Sequence, residues 1–426
     1  MVEHILKRRY ELFVIGILLL ATVLRFVNYG NRWGLAHDQA RDAIMGRLAV
    51  SEHLIPEVGP FTQAGSVVMG PLWYWLVALA TFVYPAHIMT PWVVLTFSFV
   101  LVVFVMIGIG RELESDLVFS LILGLLTALS PSQVLQSTNL TNPSGVAIFS
   151  ALALYTALLY IRKGECKYIF LYPFFISLAI NTHLQAVGLI WLFLVPFFLR
   201  RPTLSQVFIA VLGFGIPFLS ILPFELKSHF YDTRNLIRYV LYDQYTMYFP
   251  NRWLTYLGVF WPDVWTKIVG GFLPVSYITL GTVSVLSVMK GAKRELSKSY
   301  LLVLITFSLI VMQLRFFRGV KFDSYLLFLH PFALALAAWV IYMFYAFNRK
   351  LGIVLLLVFA VGSLFLTIPD IIHSSTYTQV EVRTWQKAMA DKFPGQKFAV
   401  YDYKYRHTGK SVPLVLFSSM KNCNPQ

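Results

Sequence analysis

Residues 7–42 read KRRYELFVIGILLLATVLRFVNYGNRWGLAHDQARD. This stretch holds a basic triplet at 7–9, an apolar run to Val27 and a charged cluster at 37–42. Basic residues mark the cytoplasmic end of a membrane span. The stretch therefore predicts a cytoplasmic N-terminus, a first span at about residues 10–27 and a charged cluster in the first outer loop.

The overall composition agrees with a membrane protein. Hydrophobic residues make up 58% of the 426 residues and charged residues only 13%, whereas soluble domains carry about 25% charged residues. The formal net charge is +15, but the Lys and Arg residues lie mainly at the ends of apolar runs, where they set membrane orientation. Nucleic acid is therefore excluded as a partner.

Apolar runs close to the ~20 residues needed to cross hydrocarbon recur along the chain. One orientation places the basic residues at 111, 162–167, 200–201, 290–298 and 349–350 in the cytoplasm, provided that the apolar segment 71–84 does not cross. The predicted fold is all-α and polytopic, with the C-terminus outside. About eleven spans are expected near 10–27, 91–109, 117–134, 145–161, 168–182, 184–199, 205–223, 266–288, 299–315, 323–346 and 351–368.

This topology divides the chain into a transmembrane domain, residues 1–369, and an extracytoplasmic tail, residues 370–426. The first outer loop, 28–90, is expected to contain interfacial helices, one of them over 38–52. The middle outer loop, 224–265, is rich in Tyr, Trp, Arg and Asp. The tail is predicted to be a small α+β appendage with a helix at 380–392 and a strand at 397–401.

The charged cluster of the first outer loop is a candidate catalytic site. Asp38 and Asp42 are four residues apart, so one helical face can present both carboxylates beside Arg41. A carboxylate there can act as a general base or, with its neighbour, hold a divalent metal ion as a cofactor. The alternative interpretation is a charged interfacial helix with an internal ion pair.

Other polar residues are expected at the same outer face. Three cations at the last outer turn, Arg315, Arg318 and Lys321, break the positive-inside pattern and indicate binding of a lipid phosphate. The alternative for these three cations is simple snorkelling of their side chains to the membrane interface. For His183, a lone histidine between apolar runs, the alternative is a structural role. The further candidate substrate-binding residues are His37, Asn142, His183 and Glu225.

Several short motifs occur in the order found in one group of enzymes. They are the segment 38–42 (Asp-Gln-Ala-Arg-Asp), Gly70 to Trp75, Gly110-Arg111-Glu112-Leu113, and Ser130-Pro131 followed by 139–144. With these motifs the chain resembles polytopic glycosyltransferases of the GT-C type. The resemblance is strongest to the branch of protein O-mannosyltransferases (glycosyltransferase family 39) and lipid A aminoarabinose transferases, and it covers about the first 200 residues.

The resemblance implies transfer of a sugar from a polyprenyl-phosphate donor at the outer face of a prokaryotic plasma membrane. Asp38 matches the family's catalytic base and Arg41 matches the family's arginine. The acceptor is expected to be a protein, a glycan or a glycolipid. This chain departs from the family at Gln39, Asp42 and Asn142, which leaves the acceptor and metal use open. A single displacement with inversion is expected, because no second nucleophilic carboxylate is identifiable.

Two alternative functions remain open from the sequence. A transporter or flippase of lipid-linked saccharides would carry charges deep within its spans. An O-antigen ligase or polymerase-like protein would carry its large, arginine-containing outer loop late in the chain, as with Arg234 and Arg238. Substitution of Asp38 by Asn separates these functions, since transport would survive the change and transfer would not.

Overall fold

The computed structural model describes residues 2–34, 37–62, 67–85, 87–243, 253–317 and 321–372, with residues 387, 391, 403–404 and 411–412 near the C-terminus. Helices of the first half are α1 Val2–Phe26, α2 His37–Ser51, α3 Leu72–Val83, α4 Thr90–Leu113, α5 Leu117–Leu129, α6 Pro131–Gln136, α7 Asn142–Lys163, α8 Cys166–Thr182 and α9 Ile190–Leu199. Those of the second half are α10 Leu204–Gly215, α11 Leu222–Lys227, α12 Tyr231–Leu241, α13 Trp253–Thr255, α14 Trp261–Val269, α15 Leu273–Ala292, α16 Lys298–Phe316, α17 His330–Phe347 and α18 Arg349–Ile372.

Short 3-10 and π segments join several of these helices. A 3-10 turn at Tyr29–Asn31 follows α1. Three further 3-10 segments are Leu184–Leu189 before α9, Ile216–Ser220 after α10 and Asp323–Leu329 before α17. A π segment at Tyr256–Phe260 runs into α14. In the tail, β1 Tyr403–Lys404 pairs antiparallel with β2 Ser411–Val412.

Helix α17 forms the centre of the bundle. All residues from His330 to Ile341 are buried, and α5, α14, α15, α16 and α18 pack around this helix. The alanines at 333, 335, 337 and 338 have small side chains, which lets the backbones of neighbouring helices approach closely. An apolar helix that is buried on all sides is the expected core of a membrane bundle.

Local sequence signals fix the helix ends. Helix α7 begins with Asn142-Pro143, where proline is tolerated because the first helical N–H groups have no partner in the helix. It ends at Gly164, whose φ of 72° is left-handed and favours glycine. At α5 the Asp116 side chain accepts a hydrogen bond from the Val118 N–H at 2.8 Å, a typical N-cap.

Six helical segments are long and apolar enough to cross a membrane. They are Thr90–Leu113, Asn142–Lys163, Leu273–Ala292, Lys298–Phe316, Asp323–Phe347 and Arg349–Ile372. Shorter apolar helices accompany them, so the chain is a multi-pass membrane protein, while the count of about eleven spans stays a prediction. Helix α3 has 12 residues and is about 18 Å long at 1.5 Å per residue, less than the ~30 Å of hydrocarbon.

Polar contacts sort onto two opposite ends of the bundle. At the end assigned to the cytoplasm, Arg162 pairs with Glu112 at 2.6 Å and the Tyr342 hydroxyl donates to Asp116 at 2.9 Å. At the other end, the first outer loop contacts later loops. The assignment of these two ends to the cytoplasmic and outer faces stays a prediction.

Two buried arginines hold the outer ends of the first helices. Arg25 Nη1 donates to the carbonyls of Ala21 and Ala128, each at 3.1 Å. Arg32 donates to three carbonyls at the end of α1 and, through Nη2, to the Val134 carbonyl of α6 at 3.0 Å. Cations are stabilised at helix C-termini, where carbonyls lack intrahelical partners. These contacts fix the chain just before α2.

The C-terminal tail is described at only a few positions. Lys387 and Asp391 are helical, which agrees with the helix expected over 380–392. The strand expected at 397–401 lies outside the described residues. The α+β character of the tail and the domain boundary at 369/370 therefore stay predictions.

Candidate active site

Helix α2 presents the charged cluster as a chain of hydrogen bonds. Arg41 Nη1 donates to Asp38 Oδ1 at 2.8 Å, and Arg41 Nε donates to Asp42 Oδ1 at 2.7 Å. Trp73 Nε1, from α3, donates to the second oxygen of Asp42 at 2.7 Å. One guanidinium thus lies between two carboxylates, and an indole anchors the inner one.

The two carboxylates differ sharply in exposure. The Asp38 side chain is 62% exposed, whereas that of Asp42 is 0% exposed. Burial raises the pKa of Asp42 to about 6, although Arg41 and the Trp73 N–H act in the opposite direction. Asp38 is therefore the carboxylate that an outside molecule can reach.

A chain of amides ties α2 to the second outer loop. Gln39 Nε2 donates to Asn139 Oδ1 at 2.6 Å, and Asn139 Nδ2 donates to Gln136 Oε1 at 2.7 Å. Gln39 is the residue that follows Asp38, so this contact fixes the first turn of α2. His37 begins the helix.

A second set of polar residues lies where α7, the 184–189 turn and the 323–329 turn pack together. Asn142 Nδ2 donates to the Thr182 carbonyl and to His183 Nδ1, each at 3.1 Å, which leaves the proton of the His183 ring on Nε2. Burial lowers the His183 pKa to about 3, so the ring is neutral. The His183 ring lies 4.6 Å from the ring of Tyr325.

Tyr325 connects this set to the charged cluster. Its phenol interacts electrostatically with Asp38. Its turn is held by Lys267 of α14, which pairs with Asp263 at 3.0 Å and Asp323 at 3.1 Å. Tyr325 therefore lies within range of the Asp38 charge, and this links its turn to the charged cluster.

The cations of the last outer turn lie close to the same turn. Lys321 precedes Tyr325 by four residues, which span at most about 14 Å even when extended, well below the ~30 Å thickness of hydrocarbon. Lys321 Nζ donates to the Phe317 carbonyl at 2.7 Å, and Arg315 lies 5.1 Å from the centre of the Trp253 ring. Burial and the Arg315 charge lower the Lys321 pKa. Arg318 lies outside the described residues.

Glu225 lies in a different group of buried acids. Its side chain accepts from the Thr233 N–H at 3.0 Å, and Asp232 accepts from the Val68 N–H of the first outer loop at 2.7 Å. Burial, and secondly the charge of Glu225, raise the Asp232 pKa to about 6. The described contacts of Glu225 join the two outer loops, and its expected contact with substrate stays a prediction.

Three contributors to the site were not found from the sequence. The sequence points to Trp73 only as part of the motif from Gly70 to Trp75, and it singles out neither Tyr325 nor Lys267. Each acts through a contact between residues far apart in the chain, which spacing does not reveal.

Comparison with solved structures identifies the architecture. The chain matches ArnT from Cupriavidus metallidurans bound to undecaprenyl phosphate with a TM-score of 0.62 and 12% identity, covering 92% of this chain and 82% of that one. It matches the same protein in the apo state at 0.57 and 12% identity, covering 84% and 75%. The chain has the GT-C fold.

A second GT-C structure agrees with this assignment. The Archaeoglobus fulgidus oligosaccharyltransferase tethered to an acceptor peptide with the NVT sequon matches with a TM-score of 0.54 and 14% identity, covering 91% of this chain and 58% of that one. This chain thus spans a little over half of the oligosaccharyltransferase. No family model matches the sequence, and a search of curated proteins finds no match.

Proposed function

We propose that this GT-C protein transfers a sugar from a polyprenyl-phosphate donor to an acceptor at the extracytoplasmic face of a prokaryotic plasma membrane. The observation that carries the proposal is a set of electrostatic couplings at the 323–329 turn. The exposed carboxylate Asp38 acts on Tyr325 of this turn, and Arg315 acts on Lys321, which lies four residues before Tyr325. ArnT, whose fold the chain shares, has been solved with undecaprenyl phosphate, which supports a lipid phosphate as the anionic ligand.

The bond that breaks joins the anomeric carbon to a phosphate oxygen. Negative charge then develops on the polyprenyl phosphate, and Arg315, Arg318 and Lys321 stabilise it, since cations fixed in advance at developing charge lower the barrier. The depressed pKa of Lys321 fits such a role, because an arriving anion relieves the repulsion between neighbouring cations.

The bond that forms joins the acceptor nucleophile to the anomeric carbon. Asp38 takes the proton of that nucleophile as a general base. Attack from the side opposite the phosphate inverts the anomeric centre. Asn142 and His183, held together next to Tyr325, line the side of the site where sugar or acceptor hydroxyls would bind.

A divalent metal does not fit between the two carboxylates as they stand. The Arg41 guanidinium occupies that position and hydrogen-bonds to both. Within the described part of the chain, no three His, Cys, Asp or Glu side chains gather into a metal-binding group. The proposal therefore routes no step through a metal.

The proposal is tested with membranes that contain the full chain and a radiolabelled polyprenyl-phosphate hexose. Asp38→Asn is expected to reduce transfer about 100-fold or more, the contribution of a positioned general base, and Lys321→Ala and Arg318→Ala are expected to weaken donor use. Asp243→Asn and Lys227→Ala are matched outer-face controls. Asp243 pairs with Arg238 and Lys227 pairs with Glu57, away from the proposed machinery.

The outcomes separate transfer from transport. Movement of the donor across the membrane that persists in Asp38→Asn, without transfer in the wild type, would replace the proposal by a flippase. Transfer at the wild-type rate in Asp38→Asn would remove Asp38 as the base.

A further inference from the structure

The pairing of Asp42 with Trp73 is a feature for which the proposed reaction has no direct use. Asp42 is fully buried, and each of its oxygens accepts a hydrogen bond at 2.7 Å, one from Arg41 and one from Trp73. Burial of a carboxylate is costly unless the group is paired and hydrogen-bonded. Asp42 also lies one helical turn from Asp38, so its charge acts on the site.

We propose that Asp42 and Trp73 form a positioning pair that holds Arg41 by Nε, so that Arg41 orients Asp38 without neutralising it. This inference rests on the proposed function and assigns to Asp42 a positioning role instead of direct catalysis.

The hydrogen-bond pattern supports this division of roles. Arg–carboxylate pairs are strongest when two parallel N–H groups bind both oxygens. Here Asp42 occupies Nε, and Asp38 receives one hydrogen bond, from Nη1 to Oδ1. The two carboxylates and one guanidinium carry a net charge of −1, and the exposed member is Asp38. Asp38 is thus oriented by one hydrogen bond and keeps its side chain exposed to an acceptor.

The packing of α2 on α3 fixes the pair. A Cβ added at Gly46 would lie 2.6 Å from Val77 Cγ1, so the two helices approach as closely as this glycine allows. Asp42 and Trp73 each lie four residues before these contact points, one turn along the same interface. A small residue at 46 is therefore a condition for the Trp73–Asp42 hydrogen bond.

Other polar groups face the cluster from the neighbouring elements. Tyr74 of α3 interacts with Arg41, and Tyr325 of the 323–329 turn interacts with Asp38. Neither supplies a negative charge that could replace Asp42 in holding Arg41. Removal of the Asp42 charge should therefore release Arg41 Nε, so that the guanidinium can pair more closely with Asp38.

The test uses the full chain and the donor assay described above. Asp42→Asn and Trp73→Phe are each expected to lower kcat about 100-fold, the effect of misplacing a catalytic group by about 1 Å, with KM for the donor unchanged. In the double variant the two losses of kcat should not add, because both changes remove the same interaction between Asp42 and Trp73. Trp75→Phe is the matched control, since Trp75 Nε1 donates to the Pro56 carbonyl at 2.9 Å, outside the cluster.

Wild-type kcat in both single variants, additive losses in the double variant, or a rise in KM alone would overturn the positioning role. If Asp42→Asn does not fold, Trp73→Phe decides, because it keeps an aromatic ring in the helix interface. A folded wild type that transfers no sugar would overturn the proposed function and this inference together. A wild type that transfers, with unaffected variants, would overturn this inference alone.

Discussion

Replacement of Arg32 by Met tests whether the outer ends of α1 and α6 are held as the structure indicates. Arg32 is 7% exposed and donates four hydrogen bonds, to the carbonyls of Leu24 (2.7 Å), Arg25 (3.0 Å), Val27 (3.3 Å) and Val134 (3.0 Å). Met fills a similar volume but leaves these carbonyls without that donor.

The expected loss follows from two opposed contributions. Hydrogen bonds from a charged donor contribute about 1.5–3 kcal/mol each, while burial of the guanidinium costs several kcal/mol. Met also leaves the four carbonyls without this donor, at about 1–3 kcal/mol for each buried unsatisfied group, so the net destabilisation expected is about 3–5 kcal/mol. With an unfolding entropy of about 2.1 cal/mol/K per residue, this corresponds to a fall in Tm of about 3–6 °C for the 426-residue chain.

The assay is thermal unfolding of the detergent-solubilised protein at one scan rate. Arg32→Lys should give an intermediate loss, because an ammonium keeps the charge but does not bridge both helices. Arg234→Met is the control, since Arg234 makes one exposed 3.3 Å bond to the Phe230 carbonyl. A Tm for Arg32→Met within 1 °C of the control would show that the carbonyls need no cation, and the account of the loop before α2 would be wrong.

Two further predictions concern the outer loops. The Asp232 pKa in the folded protein, about 6, lies above its ordinary 3.8, so the folded state binds more protons and stability should fall by up to about 3 kcal/mol as the pH rises from 4 to above 6. Asp232→Asn should remove this contribution to the pH dependence of Tm between pH 4 and 8. An unchanged dependence of Tm on pH would contradict the raised pKa of buried Asp232. Asn142→Leu removes the hydrogen bonds to the Thr182 carbonyl and to His183 Nδ1 and should lower transfer about tenfold, and wild-type transfer in the same assay would refute this expectation.

Charge spacing in the sequence was enough to predict part of the site. Residues three apart share a helical face, and Arg41 pairs with Asp38 in this way. The expectation that one face presents both carboxylates is not met, because Asp38 is exposed while Asp42 is buried. The membrane orientation predicted from the basic clusters stays a prediction. Charge spacing is a local signal within one helix, and the basic clusters are interpreted by the positive-inside rule, which applies along the whole chain.

The remaining contacts depend on packing between distant segments. The partner of Asp42 is an indole 31 residues away, and no pattern in the sequence pairs Trp73 with that carboxylate. Gly46 was the available signal, because glycine within a helix marks a close approach, but it does not name the opposing residue. Tyr325 reaches Asp38 only because its turn packs on α7.

The departures of the first loop from the glycosyltransferase motif that it resembles fit together physically. In place of an acid after the first aspartate, Gln39 carries an amide, and that amide is bound to Asn139. In place of an aromatic after the arginine, Asp42 brings the second negative charge, but on the buried face of α2, where Arg41 and Trp73 hold it. The loop therefore keeps two carboxylates while exposing one of them. An exposed pair would repel and favour a bridging cation, whereas one exposed carboxylate with a fixed guanidinium beneath it is suited to act alone as a base.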